Sequence, residues 1–132
     1  MRVLPVRLNP GDDVRHQLRQ LVRREQLTAA WVMTCVGSLR QVTLRLDDIV
    51  TVEDNFEIIS MSGTLAPSGP HLHLAVADSK GTMLGGHVMP GCLVADEGTV
   101  ELVLGADDAW RFERAPDPLT GFDELAIHDL RT

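Results

Sequence analysis

HLHLAVADSKGTMLGGHV, residues 71–88, is the stretch on which the fold turns. Residues two apart in a strand share a face, so His71 and His73 point one way while Leu72, Leu74 and Val76 point the other, into a core. Ser79-Lys80-Gly81 fits a three-residue hairpin loop, with glycine at the position that takes a left-handed conformation. That loop pairs Asp78 with Thr82 and sets the register of two strands, His71–Ala77 and Thr82–Val88. On one face His73 then lies opposite His87, Ala75 opposite Gly85 and Ala77 opposite Met83. On the other, Leu72 meets Val88 and Val76 meets Leu84. A loop one residue shorter turns His87 to the wrong face. Glycine position and apolar pattern therefore agree on one register without reference to any ligand.

In that register His71, His73 and His87 converge on a face otherwise built of Ala and Gly. Small neighbours leave room for an ion, and Gly85 and Gly86 permit close approach of another backbone or of a ligand. Three neutral imidazoles suit a divalent metal ion, zinc first, with Ni²⁺, Co²⁺ or Fe²⁺ as chemically reasonable substitutes. Three protein ligands also leave a position open for water, substrate or a side chain from a neighbouring subunit. A lone His-x-His on a strand more often marks surface or hydrogen-bonded core histidines; the third histidine in pairing register favours the metal. His16 stands off the apolar helix stripe and His128 has no partner by spacing, so both are read as solvated. Cys92, in the core-like GCLVA, is not counted as a ligand, and Asp78 is read as a turn former.

Working outward, Val3–Leu8 alternates as a first strand, and Asn9-Pro10-Gly11-Asp12 is a turn in which Asn9 or Asp12 can cap a helix. From Asp12 to about Gln26, Val14, Leu18, Leu21 and Val22 form one face of that amphipathic helix, with Arg15, Arg19, Arg23 and Arg24 largely outside it. Ala29–Val36 reads as a buried strand ended by Gly37-Ser38, Gln41–Leu46 as a half-buried strand, and Phe56–Met61 as another closed by Gly63. Ala66–Pro70 is a loop. Beyond the hairpin come strands Val100–Leu104 and Trp110–Glu113, then a Pro- and Gly-bearing tail with a short helical stretch around Phe122–Leu125. Mostly antiparallel strands with one principal amphipathic helix indicate an α+β domain, a single compact unit over residues 1–132.

Composition narrows the class. The chain of 132 residues is 44% hydrophobic and 23% charged, as expected of a globular protein. With 4% aromatic residues and no tyrosine, its core must be mostly aliphatic. No apolar run approaches the roughly 20 residues that span a bilayer, and the N-terminus lacks a secretory apolar segment, so no membrane partner and a cytoplasmic location are expected. Cys35 and Cys92 are then buried thiols rather than a disulfide. A net charge of −7, with cationic residues dispersed apart from the helix, gives no support to nucleic-acid binding.

VGSL (36–39), NFEIISMSGTL (55–65), the 71–88 hairpin and TVELVL (99–104) together resemble the prokaryotic branch of the plants-and-prokaryotes conserved (PPC) domain, which plant AT-hook nuclear proteins carry beside their DNA-binding hooks. The resemblance spans nearly the whole chain. It implies a compact domain with an antiparallel sheet, assembled as a homotrimer, and a metal bound at the histidines matching His71, His73 and His87. Plant members lack those histidines. The family's DNA-binding label comes largely from AT-hooks, for which this sequence has no counterpart. Glu57 falls on the family's Phe-Glu-Ile motif. It is either a carboxylate orienting a metal-bound histidine, or acting as a base, or a strand carboxylate paired with an arginine such as Arg45; the latter is preferred. Cupins also use His-x-His followed by an acidic residue, but their second motif is missing here.

Three functions remain in play: a metal-binding homotrimer with a regulatory or small-molecule-binding role, a DNA-binding regulator, and a metal-dependent hydrolase or lyase. The last lacks a secure general base or nucleophile motif.

Overall fold

Strand β1 (Arg2–Leu8) leads through Asn9–Asp12 into helix α1 (Val14–Arg24). The cap is Asp13, one residue beyond the expected candidates. Its carboxylate accepts the His16 amide at 3.0 Å and the Gly91 amide at 2.7 Å, so one side chain both starts the helix and ties it to the 90s loop. Asp12 instead accepts the Asn9 amide at 2.8 Å. The predicted stripe is the buried one: Val14, Leu18, Leu21 and Val22 pack inward, against β3 (Ile49–Ala66) and β4 (Gly69–Ala77). The computed structural model describes residues Met1–Arg131.

The sheet is organised around β2 (Ala30–Arg45). One edge of β2 pairs with β3, from Ala30 opposite Leu65 to Arg45 opposite Ile49. Its other edge is shared in turn by β7 (Val100–Ala106), β6 (Leu93–Val94) and β5 (Met83–Val88). Because β3 pairs with β4, β4 with β5, and β5 returns to β2, these four strands close into a small barrel, which removes exposed edges there. β1 lies outside β7.

The two strands expected at Ala29–Val36 and Gln41–Leu46 are thus one continuous β2. Gly37 does not end it, because the glycine lets the Thr99 carbonyl and Val100 of β7 lie against its backbone. Phe56–Met61 is likewise the middle of the longer β3, and Gly63 does not close it. Gly63 has φ of +139°, and a Cβ there would collide with the His71 carbonyl oxygen; glycine keeps β3 and β4 together where a side chain would part them. The expected loop at 66–70 shrinks to Pro67-Ser68 between strands.

The core is aliphatic, as the composition requires. Leu18, Leu39, Leu44, Leu65, Leu72, Leu104, Val42 and Val76 are fully buried, and Phe56 is the one buried aromatic among the described residues. Each such side chain contributes about 1.5–3 kcal/mol of transfer free energy on burial. Cys35 and Cys92 are free and buried in it.

After β7 the chain forms a separate hairpin, β8 (Trp110–Pro116) and β9 (Asp123–Asp129). The helical stretch expected around Phe122–Leu125 is therefore wrong. Asp123–Asp129 pairs along its whole length with β8, and that pairing overrides the weak local preference of Glu-Leu-Ala for a helix. The hairpin docks through the Phe112 amide on the Thr28 carbonyl (2.9 Å), the Thr28 hydroxyl on the Trp110 carbonyl (2.7 Å) and the Arg114 amide on the Ser68 hydroxyl (2.8 Å). His128, expected to be unpartnered, instead meets Glu113 across the hairpin at 3.1 Å.

Candidate metal centre

The β4–β5 register is the one set by the loop chemistry. His73 faces His87, Ala75 faces Gly85 and Ala77 faces Met83. Gly81 takes φ of +83°, and the Asp78 amide donates to the Thr82 carbonyl at 2.9 Å. Asp78 forms the turn as expected, its carboxylate accepting the Lys80 and Thr82 amides at 2.9 Å each.

His71, His73 and His87 come together. Their ring centroids are 5.2 Å (71–73), 5.2 Å (71–87) and 5.8 Å (73–87) apart, and one donor atom from each lies within 4.8 Å of the others. A tetrahedral zinc with Zn–N bonds of about 2.1 Å wants its nitrogens about 3.4 Å apart, so small side-chain rotations bring these three into range. His87 Nδ1 is buried without a hydrogen-bond partner among the described residues. Such an atom is costly unless satisfied, by about 1–3 kcal/mol, and a metal–nitrogen bond would satisfy it. Burial, reinforced by Arg45, His71, His73 and Arg15, pushes His87 down to about 4. Burial and Arg114 also lower His71, against an opposing effect of Glu124. Around neutral pH His87 is therefore a neutral ring with a lone pair to give, the form a metal takes. The residues present fit a divalent ion.

Gly86 explains the close approach expected at 85–86. A Cβ there would press on Leu46, the Arg45 carbonyl and Leu44, so the backbone it admits is that of β2. Gly85, on the histidine face, lies against the Leu74 carbonyl.

Beside the imidazoles opens a cleft of about 360 Å³, lined by Arg15 of α1, Arg45 of β2, the Ser68–Pro70 turn, His71, His87, Arg114 of β8, and Phe122 and Asp123 of the tail hairpin. Arg45 is the direct cross-strand partner of His87. None of these arginines stands out in the sequence. Arg45 reaches the site only through the β2–β5 closure, a long-range pairing without local signature. Arg114 and Asp123 reach it through the hairpin whose second strand reads locally as helix. Glu57, by contrast, stands at the Asp78 end of β4, opposite Ala77, and accepts a hydrogen bond from the Ser38 hydroxyl at 3.2 Å. Among the described residues it has no hydrogen bond to an imidazole and no ion pair with Arg45. It lines a separate cleft of about 550 Å³ with Ser38, Arg40 and Asp96.

Residues 1–107 match the Plants and Prokaryotes Conserved (PCC) domain, also written PPC. The chain belongs to this family. The PCC match runs from β1 to just past β7 and so takes in the whole histidine hairpin. Among curated proteins, the Bifunctional protein GlmU of Synechococcus sp. (strain JA-3-3Ab) is 47% identical over 98% of this chain. The chain spans about a fifth of the length of the curated relatives it matches, 21% in this case. Among solved structures, a hypothetical protein from Salmonella enterica superposes with a TM-score of 0.92 at 46% identity, covering 97% of this chain and 94% of that one. A candidate DNA-binding protein from Ralstonia eutropha JMP134 gives 0.81 at 27% identity, with 92% and 89% covered. A metal-containing protein from Archaeoglobus fulgidus gives 0.76 at 24% identity, with 96% and 94% covered, a likeness of fold.

Proposed function

We propose that this PCC-domain protein is a cytoplasmic homotrimer that holds a divalent metal ion, zinc first, on His71, His73 and His87, and uses it to bind a small molecule in a regulatory role. The observation that carries the reading is the convergence of three imidazole donors within 4.8 Å, on rings that include His87, whose Nδ1 is buried without a hydrogen bond among the described residues. The ion would act as a Lewis acid with an open coordination position. His73, on the exposed side, and His71 and His87, half-buried beneath the cleft, would hold it. The relative from A. fulgidus, described as metal-containing, supports the same reading. Trimer formation draws on the family resemblance and on apolar side chains left in water on β2 and β3, namely Met33, Val36, Val52 and Ile59. Elemental analysis of the purified protein beside a His71→Ala/His87→Ala variant tests the metal. About one zinc per chain is expected in the first and none in the second; equal metal in both sinks the site.

A DNA-binding role is the second reading, favoured by the description of the Ralstonia relative. A net charge of −7 weighs against it, because cations facing phosphates supply most non-specific affinity. DNA affinity that falls steeply with salt would support it, and no binding at low salt would exclude it.

A further inference from the structure

The metal reading leaves the three arginines around the cleft without a task. Arg15, Arg45 and Arg114 come from α1, β2 and β8, three elements far apart in sequence, and line one cleft with His71 and His87. Among the described residues none of the three has a carboxylate within ion-pairing distance, a state they share with Arg7, Arg19, Arg23, Arg24 and Arg111, so what sets them apart is their convergence on one cleft. Arg114 gives one guanidinium N–H to a neutral acceptor, the Asp123 carbonyl, at 2.6 Å. Arg15 and Arg45 make no side-chain hydrogen bond to the described residues. Asp123 is the carboxylate lining the cleft and offsets part of this charge. On a protein of net charge −7, the cleft is nonetheless a concentration of positive charge, and a bound divalent ion would add to it.

Guanidinium groups recognise carboxylate and phosphate oxygens through paired, charge-assisted hydrogen bonds. Three of them beside the histidines that would hold a metal make a receptor for an anion with several oxygens, to whose charge a bound ion would add. The cleft lies at the small end of ligand-binding pockets, about 300–1,000 Å³. Phe122 and Asp123 of the tail hairpin flank it.

We propose that the cleft above His71 and His87 binds a small multivalent oxyanion, a di- or tricarboxylate or a phosphate, with Arg15, Arg45 and Arg114 as its specificity-determining contacts. The proposal rests on the metal reading and adds to it the class of ligand.

The test is calorimetric titration of zinc-loaded protein with citrate and, separately, with inorganic phosphate, the zinc content of every sample being measured. Wild-type protein is expected to bind at least one of the two, and the one bound more tightly assigns the ligand to carboxylates or phosphates. Arg45→Gln/Arg114→Gln, which keeps a polar side chain at each position and removes both charges, is expected to retain its zinc and to bind about tenfold or more weakly. Arg111→Gln, on the same hairpin but outside the cleft, is expected to change nothing. Full zinc with no binding of either anion overturns the proposal and leaves the metal reading standing, as does equal affinity in wild type and the double variant. Wild-type protein that takes up no zinc overturns both. Binding of a DNA duplex that citrate and phosphate fail to displace, and that the double variant loses, also overturns it, by assigning the arginines to nucleic acid.

Discussion

His87 belongs to three environments at once: it pairs with His73 in β4, with Arg45 in β2, and lines the cleft under the tail hairpin. Its neutrality at physiological pH results from that crowding by burial and cations. The cysteines show the same physics in a dry setting. Burial raises both Cys35 and Cys92 to about 11, and the Cys92 thiol donates to the Thr43 carbonyl at 3.4 Å. Native protein is therefore expected to show no fast-reacting thiol toward a disulfide reagent, and two once denatured; a fast thiol in the native state contradicts the burial. The same shift fixes the sign of a pH effect. A thiol whose pKa is raised in the folded state contributes stability fully below the unfolded value near 9 and loses it as pH climbs through about 11. Urea midpoints should fall across that window in the wild type, and fall less in Cys35→Ala/Cys92→Ala. At this scale the histidines and cysteines are legible in the sequence because a strand's two-residue period and a loop's glycine act locally. Arg15, Arg45 and Arg114 are not, since no local rule says which arginine a distant strand will face.

Elements differ in how much of their shape is local. The hairpin β4–β5 has its turn chemistry and both faces written in consecutive residues, and its register is reproduced from His73 opposite His87 to Ala77 opposite Met83. β2 and β3 are longer than their sequence suggests because their continuity depends on partners. Gly37, which looks like punctuation, is carried through by its pairing with Val100 of β7. β9 departs from its local helical preference for the same reason, its strand state being imposed by β8. Three substitutions test these contacts. Gly63→Ala places a methyl group on the His71 carbonyl at a backbone angle that L-residues avoid, and is expected to cost about 2–3 kcal/mol or more in urea unfolding. Gly121→Ala shares a positive φ of +78° but meets open space, and should cost only about 1–2 kcal/mol. Asp13→Ala removes the helix cap and the bond to Gly91 together, for an expected loss of about 1–2 kcal/mol.

For the whole molecule, a closed barrel of β2–β5 covered by α1 puts the histidines on strands rather than loops, so the site is held by the sheet itself. Metal binding should then register as global stability. Zinc at about a hundred times its Kd adds about 2.7 kcal/mol to a protein that binds it only when folded, a rise of roughly 10 °C in melting temperature for a chain of this length. His73→Ala should abolish the rise while leaving the metal-free melting temperature near its wild-type value, because His73 is exposed. Scanning calorimetry with and without zinc reads both. If apolar residues of β2 and β3 are covered by sister chains, light scattering will give three times the 14.5 kDa chain mass. The claim on which the rest depends is the metal ion itself. Anomalous diffraction at the zinc absorption edge, from crystals of zinc-loaded protein, locates it directly. The expected result is one strong anomalous peak per chain, about 2.1 Å from a nitrogen of each of His71, His73 and His87. A zinc peak elsewhere, or none between these three rings in fully loaded protein, would contradict the account.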